Sequence, residues 1–157
     1  MTEIQLIRGR VFRETPGVSF KAIHVEGQNA MDLVEHSGPA VSPPDNDSGE
    51  KCFYIHFHQI DNNRVLGGSR SYELVNKNWK QPYHIVYLDK TEGALHIPVN
   101  TYHRSVSGTE GSLLVNHAIR DDVFDASTEF VPVSTSEDLE LGRILREVTP
   151  VVHDNRK

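Results

Sequence analysis

Cysteine is almost absent from the chain: Cys52 stands alone among 157 residues. An internal disulfide is therefore excluded, and so is a zinc site built on paired thiolates. Excess positive charge is missing too. Against 16 Lys and Arg stand 22 Asp and Glu, a formal net charge of −6, which offers no attraction to nucleic acid or to an anionic membrane surface. Nowhere does an apolar run reach the roughly 18 residues that a membrane-spanning helix needs, and the opening "MTEIQLIRGR" lacks the apolar stretch of a secretion signal. With one thiol and no such signal, the expected setting is the cytoplasm. The length fits a single domain, expected over 1–157.

Helical periodicity is as scarce as cysteine. Short runs rich in Val, Ile, Phe and Tyr recur instead, set apart by Gly, Pro, Asn and Asp, the pattern of strands alternating with turns. About nine strands are expected, at "IQLIRGRVF", "VSFKAIHVE", "AMDLVEH", "KCFYIHFHQI", "RSYELVN", "HIVYLD", "ALHIPV", "YHRSVSG" and "SLLVNHAI". The polar "NKNWKQP" reads as a turn joining two of them into a hairpin. Strands this closely spaced, with no helix between, make an antiparallel sandwich or barrel. One helix is expected near the end, over about residues 136–148. Ser136 supplies its N-cap, Glu137 and Asp138 acidify its first turn, Leu141, Leu145 and Val148 share a face, and Pro150 stops it. The proline-rich "HSGPAVSPPDNDSGE", residues 36–50, reads as a lid or a solvated loop.

The stretch "FYIHFHQI", residues 53–60, carries two histidines two positions apart. Strand alternation puts Tyr54, His56, His58 and Ile60 on one face and Phe53, Ile55 and Phe57 on the other. Histidine titrates near neutrality and can hold a proton on either nitrogen, so such a pair suits the removal and return of a proton beside a carbonyl. The same pair could equally decorate an exposed sheet face, and His84, His96 and His117 read as structural or surface histidines.

The segment "LDKTEGALHIPVNTYHR", residues 88–104, resembles the second motif of the cupin superfamily, which runs Gly, a strand, then Pro-x-Gly-x-x-His. Gly93, Pro98 and His103 follow it. Asn100 stands in place of the second Gly, a position that Asn fills because it too visits the left-handed region. With the later "SLLVNHAIRDDVFDASTEF", the stretch from about residue 50 to 130 resembles the sugar-nucleotide 3,4-ketoisomerase and epimerase branch. The resemblance implies an all-β fold: a double-stranded β-helix, the cupin jelly-roll barrel, over about residues 5–133, with a short C-terminal helix. It also implies a homodimer with the ligand in the barrel mouth.

That branch works without metal, its His-x-His pair serving as acid and base on a nucleotide-linked keto sugar of the dTDP-4-keto-6-deoxyhexose type. Carried over, the resemblance makes His56, His58 and His103 the catalytic set, with no cofactor. Arg64, Arg70, Arg104 and Arg120 are the candidates for the diphosphate, and Tyr54, Tyr72 and Tyr102 for stacking on a base or protonating an oxyanion. Other cupins hold a divalent metal on the first-motif His-x-His, a following Glu and the second-motif His. Here Asn62 stands at the in-phase position and Asp61 is out of phase, so a metal, if present, would rest on His56, His58 and His103. A metal-dependent dioxygenase, lyase or isomerase of a small acid is thus one alternative. A non-catalytic ligand-binding cupin is another, raised by a second register in which Asp45, Asp47 and Glu50 take the ligand positions.

Overall fold

Residues 4–16 and 18–156 are described in the computed structural model of the chain. In chain order its strands are β1 (Gln5–Ile7), β2 (Arg10–Thr15), β3 (Val18–Ala22), β4 (Ala30–His36), β5 (Val41–Ser42), β6 (Cys52–Phe53), β7 (Gln59–Val75), β8 (Tyr83–Asp89), β9 (Ala94–Ile97) and β10 (Tyr102–Arg120). Then come α1 (Ala126–Glu129), β11 (Val133–Ser134), α2 (Leu139–Glu147) and β12 (Val151–His153). The main sheet runs β1-β9-β7-β10-β4, with β8 and β12 continuing from β7 and β5 lying against β10. All its pairings are antiparallel except β12 on β8. Two small sheets, β2-β3 and β6-β11, complete the strands.

Two strands do most of the building. β7 has 17 residues and β10 has 19, and they pair along nearly their whole lengths. Neither stays straight. The pairing register shifts between Ser107 and Ser112, where Gly68 and Gly111 hold positive φ. A Cβ on Gly68 would lie 2.0 Å from the Gly111 carbonyl oxygen, and one on Gly111 would lie 2.2 Å from that of His36. Only glycine lets three backbones meet there, and the irregularity bends each long strand so that its two halves wall opposite parts of one barrel. The "NKNWKQP" turn joins β7 to β8 as expected, with Val75 opposite Tyr83.

The core falls into two clusters. Leu74, Trp79, Val86, Leu88, Leu95 and Ile97 fill the space between β7, β8 and β9. Phe53, Val75, Tyr83 and Tyr102 form a second patch, which α2 covers with Leu141 and Ile144. The helix begins later than the sequence suggests. Its N-cap is Asp138, whose carboxylate accepts from Leu141 N, because the residues before it are held in a turn on Ser134. After Pro150 the chain adds β12, a strand not expected from the sequence. Residues 36–50 form a wall rather than a lid: β5 pairs with β10 at Ser105 and Val106, and Asn46 ties the following turn through the amides of Ser48 and Glu50. No helix among the described residues is long and apolar enough to cross a membrane.

Candidate functional site

The interior of the barrel holds a cavity of about 260 Å³. His56, Asp61 and His103 meet on its wall, all buried. His103 comes from β10, where the alternation that turns His103 and Ser105 inward sends Tyr102 and Arg104 outward. The second motif delivers it as the sequence suggests: Asn100 has φ 64°, and its amide donates to the His56 carbonyl at 2.9 Å, so this turn ties the two histidine segments together.

His56 arrives differently. "KCFYIHFHQI" is not one strand. β6 ends at Phe53, Tyr54 makes a single bridge to His103, and the chain bends at Phe57 and His58 before β7 begins. The bend has a cause in Glu129, the last residue of α1. Its buried carboxylate accepts from the amides of Phe57 at 3.2 Å and His58 at 3.1 Å, and two bonds to one acceptor replace a sheet ladder. The shared face of His56 and His58 is lost as a result. His58 sits at the surface, where its Nδ1 lies 2.8 Å from Asp121 Oδ2. The structure brings His56 and His103 together and leaves His58 out.

The bend also restores Asp61. Counting alternation straight through from His56 turns Asp61 away; counted from the start of β7, Gln59, Asp61 and Asn63 face the cavity and Asn62 faces His96. Asp61 Oδ2 lies 3.5 Å from Nε2 of His56 and 3.5 Å from Nε2 of His103. Its Oδ1 accepts from Gln59 Nε2 at 2.6 Å and Asn116 Nδ2 at 2.9 Å. Both histidines donate through Nδ1 to carbonyls, His56 to Glu129 at 2.8 Å and His103 to Thr101 at 3.1 Å, which turns both Nε2 atoms toward the carboxylate.

The environment drives the two rings apart in charge. Burial opposes a proton on His56, but the hydrogen bond and charge of Asp61, with Glu129 behind them, outweigh it and raise the pKa above its ordinary value. On His103 burial wins: together with the nearby His56 it pushes the pKa down to about 4 against the pull of Asp61. For Asp61 burial would favour the neutral acid, yet the hydrogen bond from His56, the charge of the histidines and the Asn116 amide hold it at about 2. A proton on the pair is thus held by His56 in preference to His103, beside an ionised Asp61, with the two ring centroids 4.7 Å apart.

The other sequence candidates divide. Tyr54, Tyr72 and Arg70 line the cavity. Arg64 lines a separate crevice with Arg8 and Lys90. Arg104 lies on the outward side of β10, pairing with Glu73 at 3.2 Å and Asp45 at 3.3 Å. Asp45 and Asp47 are exposed and line none of the cavity, and Glu50 bonds Asn46, so the register that makes them ligands is not the one the chain adopts. Arg120 donates to Gln59 at 2.7 Å and pairs with Asp32, which lines the cavity. His84, His96 and His117 make hydrogen bonds away from the cavity. Glu129 and its neighbour Phe130, whose ring stands nearly perpendicular to that of His56 with centroids 5.3 Å apart, went unread in the sequence.

No protein-family model matches the chain, and no curated protein matches it in sequence. Solved structures do match its fold. It superimposes on dTDP-4-dehydrorhamnose 3,5-epimerase from Elizabethkingia anophelis NUHP1 with a TM-score of 0.62 at 13% identity, over 84% of this chain and 74% of that one. A sugar 3,4-ketoisomerase from Thermoanaerobacterium thermosaccharolyticum, in complex with TDP, gives 0.58 at 14% identity, over 89% and 95%. A 4-keto-6-deoxy sugar epimerase from the novobiocin biosynthetic gene cluster of Streptomyces spheroides gives 0.57 at 11% identity, over 96% and 94%.

Proposed function

We propose, on the premise that the chain has the cupin barrel of these sugar epimerases and ketoisomerases, that it is an isomerase or epimerase of a nucleotide-linked keto sugar. The observation that carries the reading is the Asp61 carboxylate, 3.5 Å from two histidines whose surroundings shift their pKa values in opposite directions. A pair of titratable groups pushed apart in this way divides into an acid and a base. The neutral His103 takes a proton from the carbon beside the ketone through Nε2, and the freed electron pair moves onto the carbonyl oxygen. The charged His56 donates to that oxygen as it becomes an enolate, and Asp61 stabilises whichever ring holds the proton. Return of a proton to the opposite face of the same carbon inverts it. Return to the former carbonyl carbon, as the hydroxyl on the deprotonated carbon gives up its own proton, moves the ketone.

The test is proton exchange in deuterated water with dTDP-4-keto-6-deoxyglucose and other nucleotide-linked 4-keto sugars, followed by NMR. Deuterium is expected at a carbon flanking the ketone, with the rate falling at least about 100-fold in His103→Gln and in His56→Gln protein. Exchange at the wild-type rate in both variants would refute the histidine assignment, and no exchange with any keto sugar would refute the function.

A second reading has one observation in its favour. His56, Asp61 and His103 each offer a ligand atom, all within 4.8 Å of one another. Two imidazoles and a carboxylate are a donor set that divalent iron, manganese and zinc accept. Here the residues fit, because Asp61 turns Oδ2 toward both Nε2 atoms while Oδ1 is held, and each histidine gives its Nδ1 proton to a carbonyl as metal-binding histidines do. A bound ion would supply a Lewis acid for a carbonyl oxygen. The set differs from the one the sequence suggests, with Asp61 in place of His58. Elemental analysis decides: stoichiometric metal that disappears in Asp61→Ala protein would favour this reading over proton transfer by the histidines alone.

A further inference from the structure

Arg70 plays no part in this proton transfer, yet it is a charge buried in the same cavity. It lies on β7 and is 3% exposed. Its Nε donates to Ser112 Oγ at 2.6 Å and its Nη2 to the Val34 carbonyl at 3.1 Å. The Ser112 hydroxyl meets that of Ser107 at 2.7 Å, which meets His36 Nδ1 at 2.7 Å. Every one of these partners is neutral, since burial and Arg70 itself lower the His36 pKa. Among the described residues no carboxylate lies within ion-pair reach of the guanidinium. Asp61 is turned to the histidines, Asp32 to Arg120, and Glu129 to the amides of Phe57 and His58.

Desolvating a charge costs several kcal/mol, so a guanidinium this deep is nearly always paired. The serines and the carbonyl orient it without neutralising it. The missing negative charge has to come from what the cavity takes in. We propose that the ligand of this cavity carries a carboxylate, seated on the Arg70 fork within the barrel.

The position of the other arginine separates this anion from the phosphates of a nucleotide. Arg120 stands at the rim, paired with an Asp32 side chain that is 41% exposed. A diphosphate joining a sugar to a nucleoside must leave toward solvent and belongs at that rim. Arg70, inside, meets an anion borne by the reacting molecule itself. A cavity of about 260 Å³ has room for a six-carbon acid with the nucleotide outside. The substrate class is thus a keto sugar of the uronic-acid type or a keto acid of similar size. This inference shares with the proposed function only the premise that the cavity is the ligand site.

The experiment is titration calorimetry with D-glucuronate and D-galacturonate against their methyl esters, which keep the shape and lose the charge. The acids are expected to bind the wild-type protein at least about tenfold more tightly than the esters, a difference of about 1.4 kcal/mol. The preference should vanish in Arg70→Gln and shrink in Arg70→Lys, which keeps the charge but not the fork. If Arg70→Gln protein fails to fold, as thermal unfolding would reveal, Arg70→Lys carries the test. Equal binding of acids and esters, or a preference that survives substitution, overturns the proposal. So does binding of dTDP that is abolished by Arg70→Lys, because the arginine would then read the diphosphate. The exchange assay keeps the two ideas apart: turnover of a 6-deoxy keto sugar with no preference for acids would leave the function standing and remove this inference, and acid preference without exchange would do the reverse.

Discussion

Asp61 is the side chain on which both histidines depend, and its replacement by Asn separates charge from shape. The amide keeps an oxygen for Gln59 and Asn116 but withdraws the negative charge from His56 and His103. His56 then loses the largest influence that raises its pKa against burial. Activity that needs a charged His56 and a neutral His103 disappears as pH rises through the His56 value, above 6.5, and as pH falls through about 4. In Asp61→Asn protein the exchange rate is expected to drop by about 10²–10⁴, with the alkaline limb of the pH profile displaced to lower pH. A slower exchange whose alkaline limb stays in place would mean that Asp61 only shapes the cavity.

At the scale of elements, the site is held by a contact between distant parts of the chain. The four-residue α1 is too short to be stable alone. Asp125 caps it, and Glu129 anchors it to the bend before β7. Glu129→Ala leaves two backbone N–H groups near a buried site without their acceptor, at an expected cost of about 2–3 kcal/mol in urea unfolding. Glu129→Gln keeps a side-chain acceptor and should cost less than half as much. Equal losses in the two variants would show that the carboxylate acts through its charge rather than by accepting these bonds. This contact also marks where the sequence stops being readable. His103 was legible because Gly93, Pro98, Asn100 and His103 sit within one short strand–turn–strand segment, and the φ of 64° at Asn100 answers the need that the residue type announces. His58 and Asp61 were misplaced for one reason: alternation assumes an unbroken strand, and the carboxylate that breaks it lies more than 70 positions away. No local periodicity records such a partner.

On the scale of the whole molecule, the barrel was visible because its signal is repeated. Each strand carries its own alternation and each turn its own Gly, Pro or Asn, so an error at one strand leaves the architecture intact. Arg70 shows the limit of that signal: its place on β7 says which face it shares, while its want of a counter-charge appears only once every carboxylate has a position. Acid stability is likewise a property of the assembled whole. An unfolded histidine titrates near 6.5, whereas folded His103 does so at about 4. Between those values the unfolded chain takes up a proton that the folded chain refuses, so stability falls as pH falls through this window. His36, His96, His117 and His153, all lowered, act in the same direction. His56 acts elsewhere: its raised pKa adds stability below 6.5 that is lost as pH rises through its folded value. Asp61, depressed to about 2, weakens the fold only in stronger acid. From pH 7 to pH 5, His103 by itself removes about 2 kcal/mol. Urea unfolding at those two pH values should therefore show a drop in stability that is smaller by about that amount in His103→Gln protein, whose side chain does not titrate. An identical drop in the variant would mean that His103 is charged in the folded barrel, and the division of the pair into acid and base would fall with it.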